Sequence, residues 1–124
     1  MEFQSKKAIY LQIADYVCEQ ILLKKWPVSE KIPSVRELAI TLEVNPNTVA
    51  RTYLFLEEKT IITMQRGIGY FVSEQSIEHI IALKKEEFLS IELPQVFKTM
   101  DLLNIDLEQF KKLYDKRTKH YEKE

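Results

Sequence analysis

The spacing of apolar residues divides the chain into a helical front, a short β segment and a helical back. Through residues 8–25 apolar side chains recur at about every fourth position, which predicts a first amphipathic helix. The same criterion predicts a second helix over about residues 35–42 and a third that begins at Pro46. The buried stripe of the third helix is expected to consist of Val49, Thr52, Tyr53 and Leu56.

The second and third predicted helices both begin at residues that favour a helix N-terminus. Ser34 and Glu37 have the capping-box spacing, in which each side chain accepts a hydrogen bond from the backbone N–H of the other residue. Asn45 is expected to cap the third helix, with Pro46 at its first position. Because only residues 43–45 connect these two short helices, the pair predicts a helix-turn-helix.

Beyond Lys59 the pattern changes from helical to β. Residues 60–64 and 70–72 are rich in β-branched and aromatic side chains, and both glycines of the chain lie in the five residues between them. These features predict a β-hairpin around a five-residue loop. A hairpin directly after a helix-turn-helix is a wing, and Arg66 beside Gly67 is expected to reach a DNA minor groove or a phosphate.

The exposed face of the third helix carries Asn47, Thr48 and Arg51. Amide, hydroxyl and guanidinium groups near a helix N-terminus suit the base edges in a DNA major groove. Residues 1–73 hold nine Lys or Arg against eight Asp or Glu, a local charge of +1, while the whole chain has a net charge of −1. This near-neutral balance predicts modest affinity for random DNA, because phosphate contact depends on a local face.

In the back half, helical spacing returns after residue 74 and is interrupted at Pro94. We expect a kink or break there, because the residue before a proline disfavours the helical conformation. Asp106 is expected to cap a last helix. The chain is thus expected to be mainly α with a small β-hairpin (α+β). The predicted division is a winged helix-turn-helix over residues 1–73 and a short region of two to three helices over residues 74–124.

The apolar side chains of the back half need a partner surface, since about fifty residues in a few helices cannot form an independent core. We predict that this surface is a second copy of the same region. Packing only against the front of the same chain is the alternative. The residues expected at the dimer interface are Ile77, Ile81, Phe88, Ile91, Phe97, Met100, Phe110 and Tyr114.

Enzymatic and membrane functions find no support in the sequence. His79 and His120 lie far apart, the single Cys18 has no partner for a metal pair, and Gly67 with Gly69 is too weak a signal for a nucleotide site. We expect no catalysis, no cofactor and no metal. Apolar runs fall short of the roughly 18 residues needed to span a bilayer, and a signal peptide is absent, so a cytoplasmic location is expected.

Several of these motifs, in their order along the chain, resemble those of a known family. They are Ile9-Tyr10, Gln12-Ile13, Ile32-Pro33-Ser34, Arg36-Glu37-Leu38-Ala39, the run 44–49, Tyr53, Leu56-Glu57, the run 66–69 and Phe71-Val72. Over about residues 8–73 the chain resembles the winged-helix domain of GntR-family bacterial transcription regulators. The Asn-Pro-Asn-Thr start of the third helix and the short helical back half resemble the YtrA-type subfamily.

The resemblance implies a homodimer, usually a repressor, and often one that controls a transporter operon. The DNA-facing residues that it implies are Ser34, Arg36, Asn45, Asn47, Thr48, Arg51, Arg66 and Gly67. Many relatives carry arginine where this chain has Pro46 and Ala50, so base recognition is expected to depend mainly on Asn47, Thr48 and Arg51. A further departure is the turn that ends at Thr60, which lacks the usual glycine.

Two hypotheses of function follow. In the first, a symmetric dimer places two recognition helices in successive major grooves of a palindromic operator, with half-sites about 34 to 36 Å apart. In the second, the winged helix serves protein assembly without specific DNA recognition, and the acidic back half docks a partner. The sequence names no small-molecule effector, and the region after residue 74 is the candidate place for one.

Overall fold

The computed structural model describes residues 7–117. It confirms a mainly α fold with one small antiparallel hairpin. The elements, in chain order, are α1 (Ile9–Leu22), α2 (Val35–Leu42), α3 (Pro46–Glu58), β1 (Ile62–Gln65), β2 (Gly69–Val72), α4 (Ser76–Glu87), a π-helical turn (Phe88–Glu92), α5 (Leu93–Leu102) and α6 (Leu107–Lys116).

The chain folds into two compact units, of which the first ends at Leu83 and the second begins at Lys84. The first unit thus includes the first turns of α4, where Ile80 is fully buried in the core. It extends beyond residue 73, which was predicted to end the DNA-binding region. The assignment of DNA binding and dimerisation to the two regions stays a prediction.

The core of the first unit forms where α1, α2, α3 and the hairpin meet. The predicted stripe of α3 is confirmed, since all four of its members are buried. From α1, Ile13, Val17 and Ile21 are buried in the same cluster. Each fully buried aliphatic side chain contributes about 1.5 to 3 kcal/mol relative to an exposed one, so this cluster fixes how α3 lies on α1.

Helix α1 ends earlier than predicted. The sequence pattern extended it to residue 25, but α1 ends at Leu22 and Lys24 has a left-handed backbone with φ of 63°. The backbone N–H groups of Lys25 and Trp26 both donate to the Gln20 carbonyl and close the helix end. The Trp26 ring then packs edge-on against Tyr16, with 6.3 Å between centroids.

The predicted helix starts of α2 and α3 are confirmed. Ser34 and Glu37 form both hydrogen bonds of the capping box, at 3.1 and 2.8 Å. The Asn45 side-chain oxygen accepts a 2.7 Å hydrogen bond from the Asn47 N–H, and Pro46 follows the cap. Glu43 turns the chain between the helices with a left-handed φ of 56°.

The hairpin is present, but its loop is shorter than predicted. Gln65 pairs with Gly69, so both belong to the strands and the loop contains three residues instead of five. Gly67 at its centre has φ of 78°, a conformation that costs glycine little and other residues more. A short extended segment at Lys31 lies beside β2, and the Ile32 N–H donates to the Tyr70 carbonyl.

Of the kink or break predicted at Pro94, the break is wrong, because Leu93 has helical φ and ψ of −62° and −42°, although the α-helical hydrogen bonding changes just before the proline. A π-helical turn precedes the proline, and the Leu93 N–H donates to the Phe88 carbonyl five residues back. A wider turn of this kind lets a helix accept a residue that lacks an N–H. The chain therefore passes from α4 to α5 without an extended residue.

The second unit contains no internal core within its described residues. None of the side chains of the π-helical turn, α5 or α6 is buried. Its exposed large apolar residues include Leu89, Ile91, Phe97, Leu102, Leu107 and Leu113. The predicted cap of α6 is confirmed, since the Asp106 carboxylate accepts a 2.8 Å hydrogen bond from the Gln109 N–H.

Candidate nucleic-acid interface

The first two turns of α3 present the polar residues that the sequence assigned to DNA. Asn47 and Arg51 are exposed and Thr48 is half-buried. The three line one shallow groove of about 400 Å³, together with Ala8, Ile9 and Tyr10 from the start of α1. The groove therefore joins the recognition helix to a second helix, which the local pattern of α3 does not indicate.

Two side chains on the buried face of α3 hold this helix against its surroundings. The Thr52 hydroxyl lies 2.7 Å from the Tyr10 carbonyl on α1, to which it donates. The Tyr53 hydroxyl donates to the Pro33 carbonyl at 2.7 Å, just before α2. Because both bonds join α3 to backbone atoms, they fix the position of its exposed face.

The wing is joined to α3 through an aromatic pair. The rings of Tyr53 and Tyr70 lie edge to face with 5.0 Å between centroids. Burial raises the pKa of both hydroxyls, and the nearby Glu57 carboxylate raises that of Tyr70 further. Both tyrosines therefore remain neutral at physiological pH, and they connect the recognition helix to the strand that leads from the wing tip.

The other predicted DNA contacts lie on neighbouring elements. Arg66 and Gly67 are exposed in the wing loop, and Arg36 is exposed in the first turn of α2. Ser34 is exposed at the α2 cap, where its hydroxyl accepts from the Glu37 N–H. The groove beside Arg51 does not include any of these four among its lining residues.

The capping box also places a negative charge near Arg36. Hydrogen bonds from the Ser34 backbone N–H and hydroxyl lower the pKa of the Glu37 carboxyl, and the nearby Lys31 lowers it further. Glu37 is therefore ionised at neutral pH and is held at the helix start. A carboxylate there interacts favourably with the helix dipole.

Tyr10 is the residue of this surface that the sequence analysis missed. It lies in the first turn of α1, and the Arg51 guanidinium carbon lies 3.9 Å from the centre of its ring. The only sequence signal was an aromatic residue beside the apolar stripe, and such residues are common in helix cores. The stack brings together two helices that are distant in sequence, so local periodicity could not reveal it.

The residues predicted for dimerisation fall into three groups. Ile77 is half-buried against the core of the first unit, which uses part of its apolar surface. Met100 is also half-buried. The others are exposed in the single chain: Ile81, Phe88, Ile91, Phe97, Phe110 and Tyr114.

No metal-binding cluster of His, Cys, Asp or Glu occurs among residues 7–117. His79 contacts the Thr60 carbonyl through Nδ1 at 3.1 Å, while His120 lies outside the described residues. Cys18 is buried in the core of the first unit. Of the helices that the structure describes, none combines the length and apolar character needed to cross a membrane.

Comparison with known proteins agrees with the fold. The family model described as "Bacterial regulatory proteins, gntR family" matches residues 9–72. The uncharacterized HTH-type transcriptional regulator YhcF of Bacillus subtilis is 39% identical over 108 residues, which cover 87% of this chain and 88% of that protein.

Two further relatives cover a similar share of the chain. The HTH-type transcriptional repressor YtrA of Bacillus subtilis is 33% identical over 86% of this chain and 81% of its own length. A crystal structure of a GntR-family protein from Bacteroides thetaiotaomicron is 42% identical, with a TM-score of 0.75 over 86% of this chain and 93% of that one. The chain therefore belongs to the GntR family of DNA-binding transcriptional regulators and is of the YtrA-like type.

Proposed function

We propose that this regulator is a repressor that binds a palindromic operator as a homodimer. The observation that carries the proposal is the exposed start of α3, where Asn47 and Arg51 lie side by side on a helix anchored through its buried face. The relative YtrA, named a repressor in Bacillus subtilis, supports the direction of regulation. A DNA-binding regulator acts where the chromosome is, so we place it in the cytoplasm.

We assign base reading to Asn47 and Arg51. An amide can pair with adenine and a guanidinium with guanine, each through two hydrogen bonds in the major groove. Ser34 and Thr48 carry single hydroxyls and are assigned to phosphates, and Arg36 suits either role. Asn45 contributes its cap, because its side-chain oxygen is bonded to the Asn47 N–H.

The wing is assigned a second contact with DNA. Arg66 lies exposed beside Gly67 in a loop without bulky neighbours, since a Cβ atom at Gly67 would meet nothing within 4 Å. An arginine on such a tip can enter a minor groove or bind a phosphate. The Arg66 contact would add to the DNA affinity that α3 provides, and the two would contact different parts of the DNA.

The second unit supports the dimer. Its helices α5 and α6 bury none of their described side chains. Phe97 and Phe110, for example, keep 53% and 38% of their surface exposed. Helices with this much exposed apolar surface need a partner in water. A second copy would supply a matching surface through two-fold symmetry, as is usual for homodimers.

Selection of duplexes from a random-sequence pool tests the function directly. We expect enrichment of a palindrome with half-sites about one helical turn apart. Arg51→Ala should then reduce the preference for the selected operator by about 1 to 3 kcal/mol, whereas loss of a phosphate contact should weaken operator and random DNA equally. Arg36→Ala, measured on both duplexes at two salt concentrations, would separate these roles.

Lys24→Ala is the matched control for charge. Lys24 is an exposed cation at the far end of α1, about 20 Å along that helix from the groove. The Lys24→Ala substitution removes one positive charge, as Arg51→Ala does, and should leave operator preference unchanged. If no sequence is enriched, or if neither arginine variant weakens binding, the proposed docking is wrong and the protein-interaction module becomes the better hypothesis.

Sedimentation equilibrium tests the dimer. We expect twice the monomer mass of 14.7 kDa for the full chain and a shift toward monomer for Phe97→Glu. Leu23→Glu is the control, because Leu23 is similarly exposed, at 58%, but lies in the first unit. A monomer at micromolar concentration, or equal effects of both variants, would contradict the proposed interface.

A further inference from the structure

The Arg51 side chain lies across an aromatic ring on another helix. Its guanidinium carbon is 3.9 Å from the centre of the Tyr10 ring, within the range of a cation–π contact. In the part of the chain that the structure describes, this guanidinium makes no hydrogen bond and no ion pair. Because the ring covers a face of the group, the N–H donors at its edge remain available to a ligand.

The ring of Tyr10 is itself held in place by α3. It packs edge-on against Phe55, with 6.2 Å between centroids and an interplanar angle of 81°. The Tyr10 backbone carbonyl accepts the hydrogen bond from the Thr52 hydroxyl. One turn of α1 is therefore fixed to α3 at two points, and the Arg51 side chain rests on that turn.

The start of α1 is fixed from the other side as well. The buried Gln12 amide donates to the Lys7 carbonyl at 2.7 Å, and the Lys7 ammonium lies 2.7 Å from an Asp15 carboxylate oxygen. These contacts hold the residues that precede Tyr10. The backbone of this turn is consequently held by α1 itself and by α3, and the ring packs against Phe55.

An arginine that is held before binding loses less conformational entropy when it binds. A free arginine side chain has about 2 kcal/mol of rotamer entropy to lose. A support that restricts these rotamers in the free protein lowers that cost, which is the general effect of preorganisation. The groove that contains Arg51 and Asn47 also contains Tyr10, so the restricted side chain lies beside the other base-reading candidate.

We infer that Tyr10 is a positioning residue for DNA recognition, which holds the Arg51 guanidinium with its N–H edge toward the DNA. The inference rests on the proposed function, since it concerns how Arg51 reads the operator. Tyr10 acts through Arg51 and is not assigned a base contact of its own. The alternative role of Tyr10 is to pack α1 on α3, and this would affect stability alone.

A double-mutant cycle on the full-length protein separates the two roles. Operator affinity is measured by fluorescence anisotropy for the wild type, Tyr10→Leu, Arg51→Ala and the double variant, on the duplex selected by the wild type and on random duplex. Tyr10→Leu should weaken operator binding by about fivefold, the upper range for an exposed cation–π contact. In the Arg51→Ala background, the same substitution should change affinity by less than about twofold, since the supported group is absent.

Two further variants keep the result interpretable if Tyr10→Leu loses stability. Tyr10→Phe keeps the aromatic face and should retain operator affinity within about twofold. Phe55→Leu removes the edge-on partner of Tyr10 but leaves the ring under Arg51. It should lower the melting temperature and weaken operator binding by less than Tyr10→Leu does, because the ring under Arg51 remains but loses one of its two contacts with α3.

The outcomes distinguish this inference from the proposed function. Equal losses for Tyr10→Leu with and without Arg51 would overturn the positioning role while leaving operator binding intact. Loss of affinity in Tyr10→Phe as large as that in Tyr10→Leu would overturn it too. If the wild type enriches no sequence and binds no duplex at low salt, the proposed function fails and the positioning role fails with it.

Discussion

The hydroxyl of Tyr53 offers a sharp test of how α3 is anchored. Tyr53 is fully buried, and its hydroxyl donates a 2.7 Å hydrogen bond to the Pro33 carbonyl. Tyr53→Phe removes this donor without changing the packing of the ring. Because a partly buried carbonyl then loses its partner, we expect the free energy of unfolding to fall by about 1 to 2 kcal/mol.

Urea unfolding followed by Trp26 fluorescence measures this change, since Trp26 is the only tryptophan and packs against Tyr16 in the same unit. For a unit of this size, each kcal/mol corresponds to about 4 to 8 °C in melting temperature. Protein concentration must be held constant, because association would stabilise the folded state. The slope of the urea transition should not change, since the exposed surface is the same.

Tyr70→Phe is the matched control. Tyr70 is half-buried and forms the other half of the aromatic pair with Tyr53, but no hydrogen bond of its hydroxyl occurs within residues 7–117. We expect this variant to lose less than about 0.5 kcal/mol. If the two variants lose the same stability, the bond to Pro33 does not anchor α3, and the argument for its fixed exposed face is refuted.

Substitutions at three other positions test local features of the fold by urea or thermal unfolding. Thr60 is β-branched with a left-handed φ of 59°, so Thr60→Gly should stabilise the chain by about 0.5 to 1 kcal/mol, whereas Thr60→Val should give no gain. Ser76→Ala should stabilise it by about 1 kcal/mol, because the Ser76 hydroxyl is fully buried and finds no hydrogen-bond partner within the described residues. The Ser34 cap lowers the pKa of Glu37 below its ordinary 4.5, so its stabilisation is present above pH 4.5 and is lost as pH falls through the lowered pKa. Glu37→Gln should therefore reduce the loss of stability in that acidic range, and an unchanged acid profile would contradict this.

The fold was predictable where the relevant interactions are local. The capping box at Ser34, the Asn45 cap and the stripe of α3 depend on residues two to four positions apart, and all were confirmed. The break predicted at Pro94 was wrong because the rule behind it considers only a proline and the residue before it. The π-helical turn from Phe88 changes the hydrogen bonding before the proline, and nothing in the local pattern indicates it.

The predicted end of α1 and the predicted length of the hairpin loop were wrong for a related reason. The apolar spacing continues past Leu22, but the Gln20 carbonyl accepts two N–H groups that close the helix, and Trp26 packs back on Tyr16. In the hairpin, the left-handed Gly67 allows a loop of three residues. The strand pairing therefore continues to Gln65 and Gly69, which were predicted to lie in the loop. Composition located each element, while tertiary contacts set where it ended.

The contact between Arg51 and Tyr10 alters how the sequence of α3 should be interpreted. Arg51 is the only arginine in α3. A single exposed arginine would give little selectivity if it sampled many rotamers, because each contact would have to restrict it first. Support from α1 removes part of that cost. If Tyr10 positions Arg51 as we infer, base reading depends on two helices, and a substitution at residue 10 should change recognition although it alters no residue of α3.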